Sequence, residues 1–321
     1  MSVFVGVDIG GTNMVCGIVR GGSLAKSRKI PTEAHLGQNH VISRLASLIM
    51  ESIDEEGARG ELKAVGIGIP GFIKPEEGVV TFAANLQWRD VPLAGLLSER
   101  LSGVPVFIDN DVRMYVYGEA VYGAGRGFNH VLGITVGTGI AAAFVQHGEL
   151  LYGDRNMAGE IGHIRMDGVS YLCGCGLTGC LEAAASANGM ARQAAEAIAQ
   201  GKDSVLKQWM NEGVIDRITA ADVSKAYDVG DAVAIDVMNR TGVLLGKALS
   251  YAVTLFSPDC LVIGGGGALA GDRLFNPLRE TLKEYVIGAY WDKLTIVPAQ
   301  WNEHAGILGG AAFAEKRSVS G

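Results

Sequence analysis

The sequence predicts a mixed α/β chain built of two duplicated lobes that face each other across a central cleft. Three observations carry this expectation. The first is a weak internal repeat: Val3 to Leu24 (VFVGVDIGGTNMVCGIVRGGSL) is echoed by Val131 to Leu150 (VLGITVGTGIAAAFVQHGEL). Each copy reads as an apolar strand, a Gly/Thr turn, a second strand and a glycine turn into a third. The second is a further echo, VGIGIPG (Val65 to Gly71) against LVIGGGG (Leu261 to Gly267), each a buried-type strand that ends on glycines. The third is size. A chain of 321 residues with 48% hydrophobic side chains suits two cores of ordinary domain dimensions.

Helical patterns fill the spaces between these units, at Val41 to Glu55, Leu93 to Leu101, Asp111 to Tyr122, Ala184 to Ala199 and Ala232 to Leu255. A last one, Ala305 to Lys316 (AGILGGAAFAEK), is placed to cross back to the first lobe. The expected division is a small N-terminal lobe, residues 1–115, completed by the C-terminal helix 305–321, and a larger lobe over 116–304. The Ala/Tyr/Gly-rich stretch Arg113 to Gly127 reads as the hinge.

Composition narrows the function classes. The formal charge is −7 and no block of like charge occurs, so nucleic acid and anionic membrane are poor partners. The N-terminus has no basic region and carries Asp8 inside its apolar run, which reads as a strand and not a signal peptide. A cytoplasmic location is the expectation. Five cysteines, three of them between Cys173 and Cys180, suit metal binding in a reducing compartment better than a disulfide framework.

The turn Asp8-Ile9-Gly10-Gly11-Thr12-Asn13 follows an apolar strand. Glycines let backbone N–H groups approach a phosphate, the threonine hydroxyl adds a donor, and an aspartate at a strand end can hold Mg²⁺ through water. The same hexapeptide also suits a plain hairpin turn. Gly137-Thr138-Gly139, in the equivalent place of the repeat, favours two turns gripping one polyphosphate. Gly264 to Gly267 could let an adenosine lie against bare backbone, or simply turn the chain from strand to helix.

His163, Cys173, Cys175 and Cys180 form H-x9-C-x-C-x4-C in a glycine-punctuated loop. Four soft donors in a short irregular segment make a closed, structural Zn²⁺ site, whereas Cys16 and Cys260 fall in apolar strands and read as core. Asp109-Asn110-Asp111 ends one strand and opens a helix, a place for a helix cap or for a general base. Glu160 and Glu182 flank the zinc loop and offer ordered acceptors for sugar hydroxyls, or are surface charges.

These motifs together resemble the ROK family (repressors, open reading frames, kinases) of the actin-like, hexokinase-like ATPase superfamily, over essentially the whole chain. The residues that carry the likeness are DIGGTN at Asp8, GIGIPG at Gly66, NLQW at Asn85, DND at Asp109, GTG at Gly137, AGEIGH at Ala158, CGCGLTGCLE at Cys173 and IGGGG at Ile263. The resemblance implies RNase H-like lobes and an ATP-dependent kinase acting on the 6-hydroxyl of a hexose. Glucose is the first candidate, with D-allose or N-acetylmannosamine as alternatives.

It further implies that Asp111 is the catalytic base and that Gly71, Asn85, Asn110, Glu160, His163 and Glu182 lie against the sugar. His163 would be shared between zinc and a hydroxyl. Gly10, Gly11, Thr12, Asn13, Gly137, Thr138 and Gly139 would serve the phosphates, Asp8 the Mg²⁺, and Gly265 and Gly266 the adenosine. A homodimer is the expected assembly.

Three departures stand out. Many kinases of the family read ENDAN where this chain has Asp109-Asn110-Asp111-Val112-Arg113, and the second phosphate loop continues Ile140-Ala141-Ala142-Ala143 instead of with glycines. The zinc loop is also short between His163 and Cys173. Family allose kinases also place Val after the base and lose those glycines. The family's other branch, sugar-responsive repressors, adds an N-terminal DNA-binding domain, for which a first strand starting at Val3 leaves no room.

Overall fold

The computed structural model describes residues 2–209 and 217–319. Two five-stranded sheets share one strand order, β3-β2-β1-β4-β8 and β11-β10-β9-β12-β13. In the first, β1 (Val3–Ile9), β2 (Asn13–Arg20) and β3 (Ser23–Pro31) form an antiparallel meander, and β4 (Leu62–Ile69) and β8 (Val106–Asn110) add in parallel. A small sheet of β5 (Phe72–Lys74), β6 (Val79–Ala83) and β7 (Trp88–Val91) lies between β4 and β8 in sequence. The second large sheet repeats the order with β9 (His130–Val136), β10 (Ile140–Gln146), β11 (Glu149–Leu150), β12 (Cys260–Gly264) and β13 (Thr295–Pro298). The two echoes in the sequence are therefore the β1/β9 and β4/β12 positions of a duplicated RNase H-like, actin-like fold.

The helices are α1 (Gln38–Glu55), α2 (Leu93–Arg100), α3 (Asp111–Tyr122), α4 (Leu181–Ala185), α5 (Ala187–Ala199), α6 (Val205–Trp209), α7 (Ala220–Asp228), α8 (Ala232–Phe256), α9 (Asp272–Tyr285), α10 (Gly288–Trp291) and α11 (Ala305–Val319). The single helix expected from Ala184 to Ala199 is broken at Ser186, whose extended backbone and hydroxyl, accepting from Gly189 N at 3.1 Å, start α5 afresh.

The chain clusters into two compact units, one of Met1–Val131, Ala143–Ala158 and Gln300–Gly321, the other of Leu132–Ala142 and Gly159–Ala299. The first unit thus runs past the boundary expected at residue 115. The stretch read as a hinge from Arg113 is mostly α3, packed on α11 within that unit.

Glycine explains this packing. A Cβ on Gly66 of β4 would stand 1.8 Å from the Gly310 carbonyl oxygen, and one on Gly309 of α11 would stand 1.7 Å from that of Met114 in α3. Bare backbone at these points lets α11 lie directly on the sheet and on α3. Buried Glu119 of α3 anchors the approach to α11 by accepting from Gln300 N at 3.0 Å and Trp301 N at 2.6 Å.

The core beneath the first sheet is aliphatic: Val5, Val7, Ile67 and Ile108 of the strands meet Leu45 and Ile49 of α1, all fully buried. The β3 edge instead alternates exposed and half-buried residues, and its Lys26 and Arg28 pair with Glu55 and Glu51 of α1 at 2.8 and 2.7 Å.

Candidate functional site

In the first unit, the turn between β1 and β2 is closed by Gly10 N donating to Asn13 O at 2.8 Å. Thr32 braces it, its N–H on Thr12 O at 2.8 Å and its hydroxyl on Gly10 O at 2.7 Å. Thr12 itself is exposed, its hydroxyl available to a ligand. A pocket of about 460 Å³ opens here, lined by Asp8, Gly10 to Asn13, Val15, Ser27, Lys29, Glu303 and His304. Sequence reasoning missed Lys29 and His304. The second lies 292 positions from Thr12 (304 − 12) and arrives only because α11 returns to β1. His304 Nδ1 is buried there without a hydrogen-bond partner.

Asp8 shows the electrostatic character of this corner. Burial, with the Asp111 charge adding to it, pushes its carboxyl up from an ordinary 3.8 to about 7. Asn85, in the exposed turn after β6, approaches the same turn: a Cβ on Gly11 would stand 3.1 Å from that of Asn85.

Asn110 and Asp111 sit at the end of β8 and the start of α3. Asn110 caps the helix, its Oδ1 accepting from Val112 N at 3.0 Å and Arg113 N at 3.2 Å, while Nδ2 donates to Gly71 O at 3.2 Å. The helix cap therefore belongs to Asn110, and Asp111, half-buried at the first helical position, also accepts from Val112 N, at 2.9 Å. Gly71 holds φ 111° with the Phe82 carbonyl oxygen 2.1 Å from where a Cβ would stand, so a side chain is excluded beside Asn110. Behind them Asp109 is fully buried and bonded to Arg113 and Tyr152.

In the second unit, Gly137 N donates to Gly139 O at 2.9 Å, closing the turn that exposes Thr138. Glu182, at the start of α4, accepts from Ile140 N at 2.9 Å, and a Cβ on Gly139 would stand 2.7 Å from its carboxylate. The Ile140-Ala141-Ala142-Ala143 strand is approached closely by two glycines of AGEIGH. Gly159 accepts from Ala142 N at 2.8 Å, and Cβ atoms on Gly159 and Gly162 would strike the Ala142 and Ile140 carbonyls. AGEIGH thus lies on β10 and carries Glu160 and His163 with it.

The His163, Cys173, Cys175 and Cys180 donor atoms all lie within 4.8 Å of one another. Cys175 Sγ is 3.7 Å from Cys180 Sγ, and Cys173 Sγ is 3.7 Å from His163 Nδ1. Tetrahedral ligands about 2.0–2.3 Å from one ion are about 3.5–3.8 Å apart, so the set fits a closed four-coordinate metal site. Nδ1 faces the thiols, while Nε2 lies 3.7 Å from Glu160 Oε2. Cys173 Sγ also lies 3.7 Å from Glu182 Oε1, which ties that carboxylate to both the cysteine loop and the Gly-Thr turn.

Gly265, at φ 80°, passes the β9 backbone so closely that a Cβ would stand 2.6 Å from Val136 O, whereas Gly266 has open space above it. Beside it is a pocket of about 320 Å³, whose lining includes Met190, Ala221, Ser224, Leu269 and Arg273 together with Gly266 and Gly267. Arg273 forms one wall, donating to Asp228 at 2.5 and 2.7 Å and to Ser224 at 3.0 Å. No sequence pattern singled these residues out, since they come from four separate elements. Among the described residues, no helix is long and apolar enough to cross a membrane.

A model of the ROK family matches residues 4–317. A glucokinase of Thermotoga maritima is 36% identical over 98% of this chain and 97% of its own length. The crystal structure of a ROK family glucokinase from Streptomyces griseus in complex with glucose and AMPPNP is 31% identical, with a TM-score of 0.81 over 98% of this chain and 100% of its own. A ROK family transcriptional regulator, a homologue of Escherichia coli Mlc, superposes with a TM-score of 0.87 at 26% identity, over 98% of this chain and 78% of its own.

Proposed function

The chain belongs to the ROK family, and we propose that it is an ATP-dependent hexose kinase that moves the γ-phosphoryl of ATP to the 6-hydroxyl of glucose. The observation that carries this reading is the pairing of Asp8 with Asp111. Asp8 pairs in register with Gly68 of β4, and a Cβ on Gly68 would stand 3.3 Å from Asp111 Cα, so an aspartate suited to a cation and an aspartate suited to a proton share one corner, and the charge of Asp111 adds to the raising of the Asp8 carboxyl.

Asp111 takes the proton of the 6-hydroxyl as the oxygen attacks. Asn110 and the Gly71 carbonyl form the rigid floor next to it, and Asn85, Glu160, His163 and Glu182 hold the remaining hydroxyls. Backbone N–H groups of Gly10, Gly11, Thr12 and Asn13, and of Gly137 to Gly139, bind phosphate oxygens, with the Thr12 and Thr138 hydroxyls beside them. Adenosine lies on Gly265 and Gly266 in the Met190/Ala221/Leu269 pocket. Mg²⁺, when bound near Asp8, neutralises charge on the transferred phosphoryl group. Positioning and charge neutralisation supply most of the acceleration, and general-base help adds about 10²–10⁴-fold.

His163 Nδ1, Cys173, Cys175 and Cys180 would hold a structural Zn²⁺, which would order the loop and leave His163 Nε2 for a sugar hydroxyl. Tyr251 and Leu255 of α8 lie on one helical face, Tyr285 packs beside Lys247 of the same face, and Ile287 follows it; all four apolar side chains are exposed. This patch supports a homodimer.

Release of ADP with glucose, allose, mannose, fructose, N-acetylmannosamine and N-acetylglucosamine tests the proposal. Glucose is expected to give the highest kcat/KM. No hexose-dependent ADP release, together with sugar-sensitive binding to an operator-type duplex, would favour a regulator.

A further inference from the structure

The buried charges behind Asn110 and Asp111 have no part in the chemistry above, yet they converge on it. The fully buried Asp109 carboxylate accepts from Asn110 N at 2.6 Å, Arg113 Nη1 at 2.9 Å and the Tyr152 hydroxyl at 2.7 Å. The Arg113 guanidinium stacks over the Tyr152 ring, 5.2 Å from its centre, and its other arm donates to the Asn156 carbonyl. Arg155 and Asn156 both hold left-handed backbone, at φ 53° and 58°, a conformation that Asn tolerates and that disfavours Arg. That turn leads within four positions to Glu160.

A buried Arg–carboxylate pair is often no more stabilising than apolar packing of the same volume. What such a pair does provide is geometry. The planar, forked guanidinium fixes direction as well as distance. Here one arm of the guanidinium is spent on the residue preceding Asn110, and the other on a strained turn 43 positions away in sequence.

We propose that Arg113 and Tyr152 are positioning residues: through Asp109 they fix the backbone of Asn110 and Asp111, and they lock the 155–156 turn against that strand end. The proposal rests on the reading of Asp111 as the base. Tyr152 orients Asp109 from one side while Arg113 spans Asp109 and Asn156, so each removes a different freedom. It also gives Arg113 a function at a position where this chain departs from the family's ENDAN pattern.

The test compares Tyr152→Phe, Arg113→Lys and Arg113→Met with the parent. Tyr152→Phe keeps the ring but leaves one oxygen of the buried Asp109 carboxylate without its donor, so it is expected to fold and to melt several degrees below the parent, and the kinetics are read well below that midpoint. Displacements well below 1 Å at a reacting group already cost rate, and a full ångström costs about 10²-fold; kcat is therefore expected to fall about tenfold. KM for ATP should stay within about twofold, while glucose affinity, measured calorimetrically without ATP, weakens about fivefold as Asn110 loses its fixed direction. Arg113→Met should be worse, and Arg113→Lys only partly better than Met, because an ammonium cannot bond Asp109 and Asn156 together.

Glucose affinity reads the placement of Asn110 and is independent of which group accepts the proton. Full turnover in Asp111→Asn would therefore overturn the base assignment separately. Unchanged kcat and unchanged glucose affinity in both Tyr152→Phe and a folded Arg113→Lys overturn the positioning role.

Discussion

Replacing Asp8 with asparagine separates the electrostatic cost of this site from its catalytic use. In the unfolded chain the carboxyl has its ordinary value of 3.8, and in the folded protein it stands at about 7. The folded state therefore holds its proton more tightly. The stability this gives is complete below about pH 4 and is lost as pH rises through about 7. A carboxyl moved from 3.8 to about 7 represents about 4 kcal/mol by pH 8, with roughly 2 kcal/mol already lost at pH 5.5. Because Asp8 borders an open pocket, solvent reduces this, and a measured difference of about 1–3 kcal/mol at pH 8 is the expectation. Asparagine keeps the shape and has no charge to bury.

The assay is urea unfolding of the parent and Asp8→Asn from pH 5 to 8.5 in Mg²⁺-free buffer. The variant should gain on the parent as pH rises and then level off. Mg²⁺ with ATP should stabilise the parent and not the variant, and the variant should be inactive throughout. The Asp111 charge contributes to the shift, so Asp111→Asn should move the parent's transition to lower pH. A stability difference that is the same at every pH would refute the reasoning.

The remaining predictions concern metal, packing and assembly. Elemental analysis should find about one Zn²⁺ per chain, and Cys175→Ser should lose it together with glucose affinity; metal-free parent with unchanged kinetics would sink the zinc assignment. Gly66→Ala should cost at least about 2 kcal/mol in thermal or chemical unfolding, since α11 must move off the sheet, whereas Gly95→Ala in α2, with nothing near its Cβ, should be neutral or slightly stabilising. Leu255→Glu should convert a dimer to a monomer in sedimentation velocity, and an unchanged mass would remove the α8 patch from the interface.

Much of this fold is written in local pattern. The two strand-turn-strand units, the glycine-ended strands and the cysteine knuckle involve neighbours within about twenty positions, where periodicity and spacing act directly. What escaped the sequence depends on distant partners. Nothing near Arg113 indicates that its guanidinium meets Asn156, and nothing near Glu119 points to Gln300 and Trp301. The break at Ser186 was hidden because the alanines on either side favour helix equally well. The strand-end position of Asn110 is legible, but not that its Oδ1 caps α3 while its amide donates to the Gly71 carbonyl. Lys29 and His304 reach the pocket beside the β1–β2 turn only through β3 pairing and the return of α11, which no local motif encodes.

The central claim is that Asp111 accepts the proton while ATP phosphorylates a hexose 6-hydroxyl. The most direct measurement is the turnover of Asp111→Asn alongside its glucose affinity, with the parent's product identified by phosphorus NMR. The parent should yield glucose 6-phosphate. The variant should bind glucose within a few-fold of the parent while kcat falls by about 10²–10⁴. Near-parental kcat in a homogeneous, folded variant, or a phosphate on another position of the sugar, would contradict the account.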